Sequence, residues 1–470
     1  MIKVYKYHNI INIALILCAF MFGACANPLP PTGGEDDTTP PKIVSMNPRP
    51  NTVNFTGNVL TIEFDDYVDR RSFRESFFVS PKPKGELIFN WSGAKLEIEF
   101  PEKLRPSTTY TFVIGKGFRD IRGNVMTEPV QFALSTGNKI DSARISGRVY
   151  TTNYSKVYIL AYALNGKVDS LINPEKTFAD YITQVSDDGS YTFLHLPSGK
   201  FRFFSLKDNT RNLLYDKGSD EIAVLSGDLD FSDSSNYKNQ SFLFDDFLSK
   251  QDEFGEKFYN DLNSDTITYI ASSMKNNQFD VSVDPKIYLY FRNNKLSKQD
   301  IAGNIYLYDT TNKQDCRVII NWLNDSLLEI VPLENLKFGS VIKISVDLKN
   351  TARKYIYENK FNVAEERRFG QVSGRITGRV KQEFPVYVKL LSKNDKFLEY
   401  SLKISYDTSF SFRHVLEGEY ILFSFIDENN NRKYDAGNYY PFKHSEKFYI
   451  IEKGLNLKGG WDINAVPVSF

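Results

Sequence analysis

The densest run of metal-binding residue types in this chain is Asp427-Glu-Asn429-Asn-Asn431-Arg-Lys433-Tyr-Asp435-Ala-Gly437. Oxygen-bearing side chains stand at its first, third, fifth and ninth positions, with the Lys433 backbone carbonyl at the seventh. This is the opening spacing of a Ca2+ loop, in which a hard cation collects six to eight oxygens, and Glu446 is the distal carboxylate expected to complete the shell. Two features depart from that pattern: Arg432 stands at the sixth position, where such loops use glycine, and no Glu fills the twelfth. The competing reading is an Asx-rich hairpin, whose Asp and Asn side chains hydrogen-bond their own backbone. A weaker run carries Asp208, Thr210, Asn212 and Asp216, with Glu221 as its distal acid. Thr210 is a poorer ligand than Asn429, and Arg211 and Lys217 add positive charge. Either ion would brace a loop, because neither run has a nucleophile or base beside it.

Catalytic chemistry finds little else to work with. Of the four histidines, His8, His195, His414 and His444, the second and third occupy equivalent places two residues beyond Phe193 and Phe412. Period two puts them on the face of those aromatics, so the expectation is a packing histidine at a strand end. No nucleophile-elbow, zincin or phosphate-loop motif is present. Tyr439, Tyr440 and Phe442 fall in a loop, where exposed aromatics can stack on sugars or grip a partner protein.

The elements that must position these residues are short strands. Leu60–Phe64, Leu96–Phe100 and Tyr110–Ile114 alternate apolar and polar residues, and Pro, Gly, Asn and Asp turns separate such runs. Helix-period stretches are nearly absent; residues 245–262 are the best candidate. The pattern predicts an all-β protein of tandem β-sandwich modules.

An internal duplication organises them. Residues 188–218 and 407–437 align without a gap, pairing Phe193 with Phe412, Gly199 with Gly418, Asp208 with Asp427 and Asp216 with Asp435. Upstream, Ser146–Val149 matches Ser373–Ile376, and Phe89-Asn-Trp91 is echoed by Ile320-Asn-Trp322. The order is therefore A–B–A′–B′. The expected modules are 42–138, 139–228, 265–366 and 367–470, with a linker over 229–264.

The first 41 residues read differently. Lys3, Lys6 and His8 precede an apolar run from Ile10 to Phe22, too short to span a bilayer but long enough for a signal-peptide core. Small residues then lead to a cysteine in Phe22-Gly-Ala-Cys25. This resembles the lipobox of bacterial lipoproteins, although Phe22 stands where Leu is usual. The resemblance implies removal of residues 1–24, lipid on Cys25, and anchoring at the outer membrane or cell surface; an ordinary cleaved signal or an uncleaved anchor is the alternative. Residues 25–41, rich in Pro, Gly, Thr and acid, are expected to form a flexible tether. The 58 basic and 58 acidic residues of the whole chain balance, which argues against a nucleic-acid binder. Cys316 would then be the one thiol in the body, unable to form an internal disulfide.

The A modules resemble bacterial Ig-like domains of the surface-layer type, through Pro40-Pro-Lys-Ile-Val-Ser-Met-Asn-Pro48, Leu104-Arg-Pro-Ser-Thr-Thr-Tyr110 and Asp120-Ile-Arg-Gly-Asn124. The B modules resemble prealbumin-like or carboxypeptidase-regulatory-like sandwiches, through Asp188-Gly-Ser-Tyr-Thr-Phe193 and Leu196-Pro-Ser-Gly-Lys-Phe201. The whole order looks like that of Bacteroidetes Ig-like lipoproteins. It implies a non-enzymatic envelope scaffold or, alternatively, a surface protein that captures glycan or protein through loop aromatics.

Overall fold

The computed structural model describes residues 37–167, 172–232, 235–248, 269–292, 297–348, 355–378, 384–405 and 408–470. Cys25 and the apolar run before it lie outside them. Among the described residues no helix is long and apolar enough to cross a membrane. The chain is nearly all β, in paired sheets with a separate apolar core for each module.

In module A the sheet order Ile43–Asn47, Val59–Phe64, Lys95–Glu99, Ile88–Ser92 faces a second sheet of Phe77–Ser80, Thr109–Ile114 and Val130–Ser135. Alternation in Val59–Phe64 sends Leu60, Ile62 and Phe64 inward, where they meet Phe73, Phe112 and Phe118. A short helix, Arg70–Ser76, interrupts the strands and is capped by Asp69, which accepts from the Arg71 and Ser72 amides. Residues 37–41 are no free tether. Asp37 pairs with Arg122, and the Asn124 side-chain amide donates to the Asp37 carbonyl at 2.9 Å, so the module begins at least five residues before the expected boundary.

Modules B and B′ share one topology. In B, Val157–Ala163 lies between Tyr181–Gln184 and Gly199–Lys207; in B′, Val386–Ser392 lies between Glu399–Ile404 and Gly418–Ile426. In each, the opening strand pairs in parallel with a closing one: Ala143–Tyr150 with Asn236–Tyr237, and Phe369–Thr377 with Asp462–Ser469. The linker expected from residue 229 is therefore corrected. Leu229–Phe231, Asn236–Tyr237 and Phe242–Leu243 complete the sheets of B, and Phe231, Phe242 and Phe244 are buried in its core. Strands of two or three residues are too short to show an alternation. Of the stretch expected to be helical, residues 245–248 form one turn and residues 249–262 lie outside the described residues.

The modules do not follow one another as beads on a line. B′ folds back onto B, so that Tyr150 and Leu243 of B cover the outer face of the B′ sheet at Tyr387, Phe423, Phe425 and Ile450. The outer face of the B sheet, at Leu160, Tyr162 and Phe204, is likewise apolar and is covered by Ile172 and Ala179 of B together with Tyr439 and Phe442 of B′. That accounts for the near-continuous burial of Val157–Ala163, where a half-solvated strand would alternate.

Candidate functional site

The two Asp/Asn runs are geometric copies. Each begins at the end of a core strand, with Asp208 after Gly199–Lys207 and Asp427 after Gly418–Ile426, and each carboxylate is buried. Asp427 accepts from the Asn431 and Arg432 amides at 3.0 Å each. Asp208 accepts from the corresponding Asn212 and Leu213 amides at 3.2 and 2.9 Å, and also from Arg211 at 2.7 Å. Asn431 and Asn212 in turn accept from amides two residues on, at 2.7 and 2.8 Å. The backbone path is the same: φ is 60° and 68° at Asn430 and Arg432, and 63° and 60° at Arg211 and Leu213. The glycine missing from the sixth position is thus absent without changing the turn. Arg432 and Leu213 adopt the left-handed conformation, at a cost of roughly 1 kcal/mol each.

A second carboxylate clasps each loop shut. Glu446 accepts from the Glu428 amide at 2.8 Å and the Asp435 amide at 3.0 Å. In B that work falls to Asp220, which accepts from Asn209 at 2.8 Å and from Asp216 at 3.0 Å. Glu221, the acid expected there from the sequence, lies instead on a strand, with its carboxylate 2.8 Å from the Lys207 ammonium. The duplication hides Asp220 because the clasping acid follows the ninth-position Asp by four residues in B and by eleven in B′.

These bonds decide what the loops can hold. Asp427 and Glu446 each spend both oxygens on backbone amides. Asp435 receives the side-chain amides of Asn429 and Asn431 and the Lys443 ammonium at 2.9 Å, and Lys443 holds its carboxyl below the usual range. Burial pushes Glu446 the other way, above its ordinary value. In the B′ loop protein donors and a protein cation fill the places an ion would need. In B the Thr210 hydroxyl lies between Asp208, Asp216 and Asp220, 2.8 Å from Asp216, and among the described residues no group of three or more His, Cys, Asp or Glu is placed to hold a metal. The side chains present fit a hydrogen-bonded clasp, not a Ca2+ shell; Lys433 contributes its amide to that clasp.

The loop aromatics are also employed internally. In B′ the clasped loop extends into the hairpin Asn438–Tyr439 and Phe442–Lys443, which reaches across to B. Tyr439 donates to Glu175 at 2.7 Å, which pushes its pKa up to about 12, and its ring lies 4.6 Å from that of Tyr215. Phe442 packs edge-on against Phe204, with the Arg202 guanidinium 3.4 Å from its ring centre. Arg202 is itself held bidentately by Asp228, at 2.9 Å for each bond, and both side chains are buried. Only Tyr440 of the three stays exposed, at 52%. Nothing in the sequence links Glu175, Phe204 or Arg202 to a loop more than two hundred residues away.

The histidine expectation needs correction. His195 and His414 adopt φ of 62° and 54°, at bulges that break the period of two. His195 is half-buried with Nδ1 3.2 Å from the Asp141 carbonyl, and His414 is exposed, its ring 5.5 Å from Phe338. Neither is buried with the core aromatics of its module. Cys316 is half-buried on a short edge strand, and burial raises its thiol pKa.

Against this geometry, residues 37–136 match the bacterial Ig-like domain family. No curated protein matches the chain. Among solved structures, the chain is similar to the N-terminal part of the bacterial S-layer protein SbsC, at 14% identity over 36% of this chain and 40% of that one, with a TM-score of 0.16. It is also similar to the Bacillus anthracis TIE protein, at 9% identity over 93% of this chain and 75% of that one, TM-score 0.16. An LD transpeptidase in complex with imipenem matches at 11% identity, over 27% of this chain and 62% of that one, TM-score 0.20. The chain thus spans less than two thirds of the transpeptidase and of the S-layer fragment, and likeness at these TM-scores says nothing about activity. Module A is a bacterial Ig-like domain within a tandem array of β-sandwiches.

Proposed function

We propose that this chain is a non-enzymatic, lipid-anchored protein of the bacterial cell envelope, in which four β-sandwich modules form an interaction scaffold. The observation that supports this most is where the reactive side-chain types are spent. The Asp/Asn runs clasp their own loops, Tyr439 and Phe442 dock B′ on B, and His195 bonds a backbone carbonyl. No nucleophile beside a base, of the kind covalent or general-base catalysis needs, can be named from these groups. The Ig-like module directly behind the N-terminal segment is the one held nearest the membrane, and lipid on Cys25 attaches it there. Capture of glycan or protein by the loop aromatics is less favoured, because only Tyr440 is left free to do it.

Membrane fractionation of the wild-type chain and of Cys25→Ala, expressed in a lipoprotein-processing bacterium, tests the anchor. The wild type partitions with membranes and incorporates labelled fatty acid, whereas the variant does neither. Equal partitioning and no label would remove the lipid from the proposal.

A further inference from the structure

Where A meets B the surface opens into a cleft of about 1210 Å3, larger than the ~300–1,000 Å3 that holds a single small ligand. Its lining carries Arg71, Arg74, Lys116, Arg119, Lys156 and Arg211 against only three acids, Glu75, Asp187 and Asp208. Several of these charges are already spoken for. Lys116 is buried and joins the modules, bonding Asp187 at 2.6 Å and the Tyr154 carbonyl at 2.7 Å. Arg119 is 2.7 Å from Asp69, and Asp208 caps its loop. Lys156 and Arg211 are different. Among the described residues Lys156 reaches only the Asn209 carbonyl, at 3.4 Å, and Arg211 stands 3.7 Å from Glu75, which Arg71 already holds at 2.9 Å.

Both of these cations also break a local rule. Lys156 and Arg211 have φ of 58° and 63°, where a long L side chain is disfavoured. In the second copy the position of Arg211 is held by Asn430, a residue the left-handed region accepts. B therefore carries a strained cation on the cleft rim where B′ has the relaxed residue. Between the charges the wall is mixed: Phe78, Tyr154 and Met126 offer apolar surface, and Asn153 and Ser155 offer hydrogen-bonding groups. Long anionic polymers of nucleotides would call for a basic surplus over the whole chain, which is absent.

We infer that this cleft binds an anionic oligosaccharide, with Arg211 and Lys156 meeting its carboxylates and the apolar wall meeting its ring faces. The site is independent of the anchor and of the scaffold reading, and it stands or falls on binding alone. The test is calorimetric titration of the full chain in detergent at low ionic strength, with hexagalacturonate as probe. Wild type binds it, and added salt weakens binding by screening exposed charges. Arg211→Asn with Lys156→Asn installs residues that suit the backbone while removing both charges; it should weaken binding about tenfold or more, equivalent to ~1.4 kcal/mol, with an unlowered melting temperature. Should that variant melt lower, Arg211→Gln and Lys156→Gln made singly, each removing one charge while keeping a long polar side chain, carry the same readout. Binding unchanged in these variants would overturn the assignment. So would equal affinity for neutral maltohexaose, for inorganic phosphate, or for a single-stranded DNA oligomer of equal charge.

Discussion

The loops after Asp208 and Asp427 start alike and end differently. Both use a buried Asp to gather the same two backbone amides, both place an Asn under the turn, and both bend through the same left-handed residues. After the ninth position they part. B closes at once with Asp220, whereas B′ first throws out a hairpin and closes with Glu446 only after the hairpin has docked on B. The same local device is an end in itself in one module and the base of an intermodular clamp in the other. What the duplication copied is a way of ending a strand; what diverged afterwards is the use of the chain beyond it.

Removing the shared element should hurt both copies most. Asp427→Ala and Asp208→Ala each leave the loop amides without their buried acceptor, and each should cost about 3 kcal/mol in urea unfolding, since bonds to a charged partner contribute ~1.5–3 kcal/mol apiece. Clearly unequal costs would break the equivalence of the loops. Next comes the part that only B′ has. Phe442→Ala should lose about 2 kcal/mol, less than a full core Phe because the ring is half-buried, and should split one thermal transition into two as B′ loosens from B. A single unshifted transition would show that the hairpin does not couple the modules.

Acid sensitivity separates the two acids of the B′ loop. Glu446 has a raised folded pKa, so it favours the folded state fully below about 4.5 and loses that contribution as pH rises through the folded value. Asp435 is lowered, so its contribution is present above about 3.8 and is lost as pH falls through the folded value. Melts from acid to neutral pH should therefore change slope in opposite senses for Glu446→Gln and Asp435→Asn, and matching slopes would contradict the clasp. A smaller gain, up to ~1 kcal/mol, is expected from Arg432→Gly, which relieves the left-handed residue. The smallest effect is that of EDTA or added Ca2+, neither of which should move the melt. A rise in melting temperature with Ca2+ that Asp427→Ala abolishes would restore the ion to the loop.

Much of the architecture could be read from the residues because it rests on local periodicity. Val59–Phe64 alternates, Gly and Asn turns end it, and the A–B–A′–B′ repeat follows from matched strands and turns rather than from any distant contact. The same logic failed where locality failed. Residues 229–244 look like linker because their strands are two or three residues long, and His195 looks buried because a bulge cannot be seen in a period of two. For the loops, the ligand types and spacing were legible, but not the clasping amides.

What the sequence determined by itself is the set of strands, the duplication, and the two Asp-led turns, since each depends on neighbours within a few residues. What only the tertiary structure decided is the destination of the side chains those turns present. Glu446 clasps its own loop through two backbone amides, and Tyr439 and Phe442 became a joint instead of an open surface because B′ lies on B. That packing buries the outer faces of both sheets together, and apolar area removed from water depends on which surfaces meet, a quantity no local pattern contains.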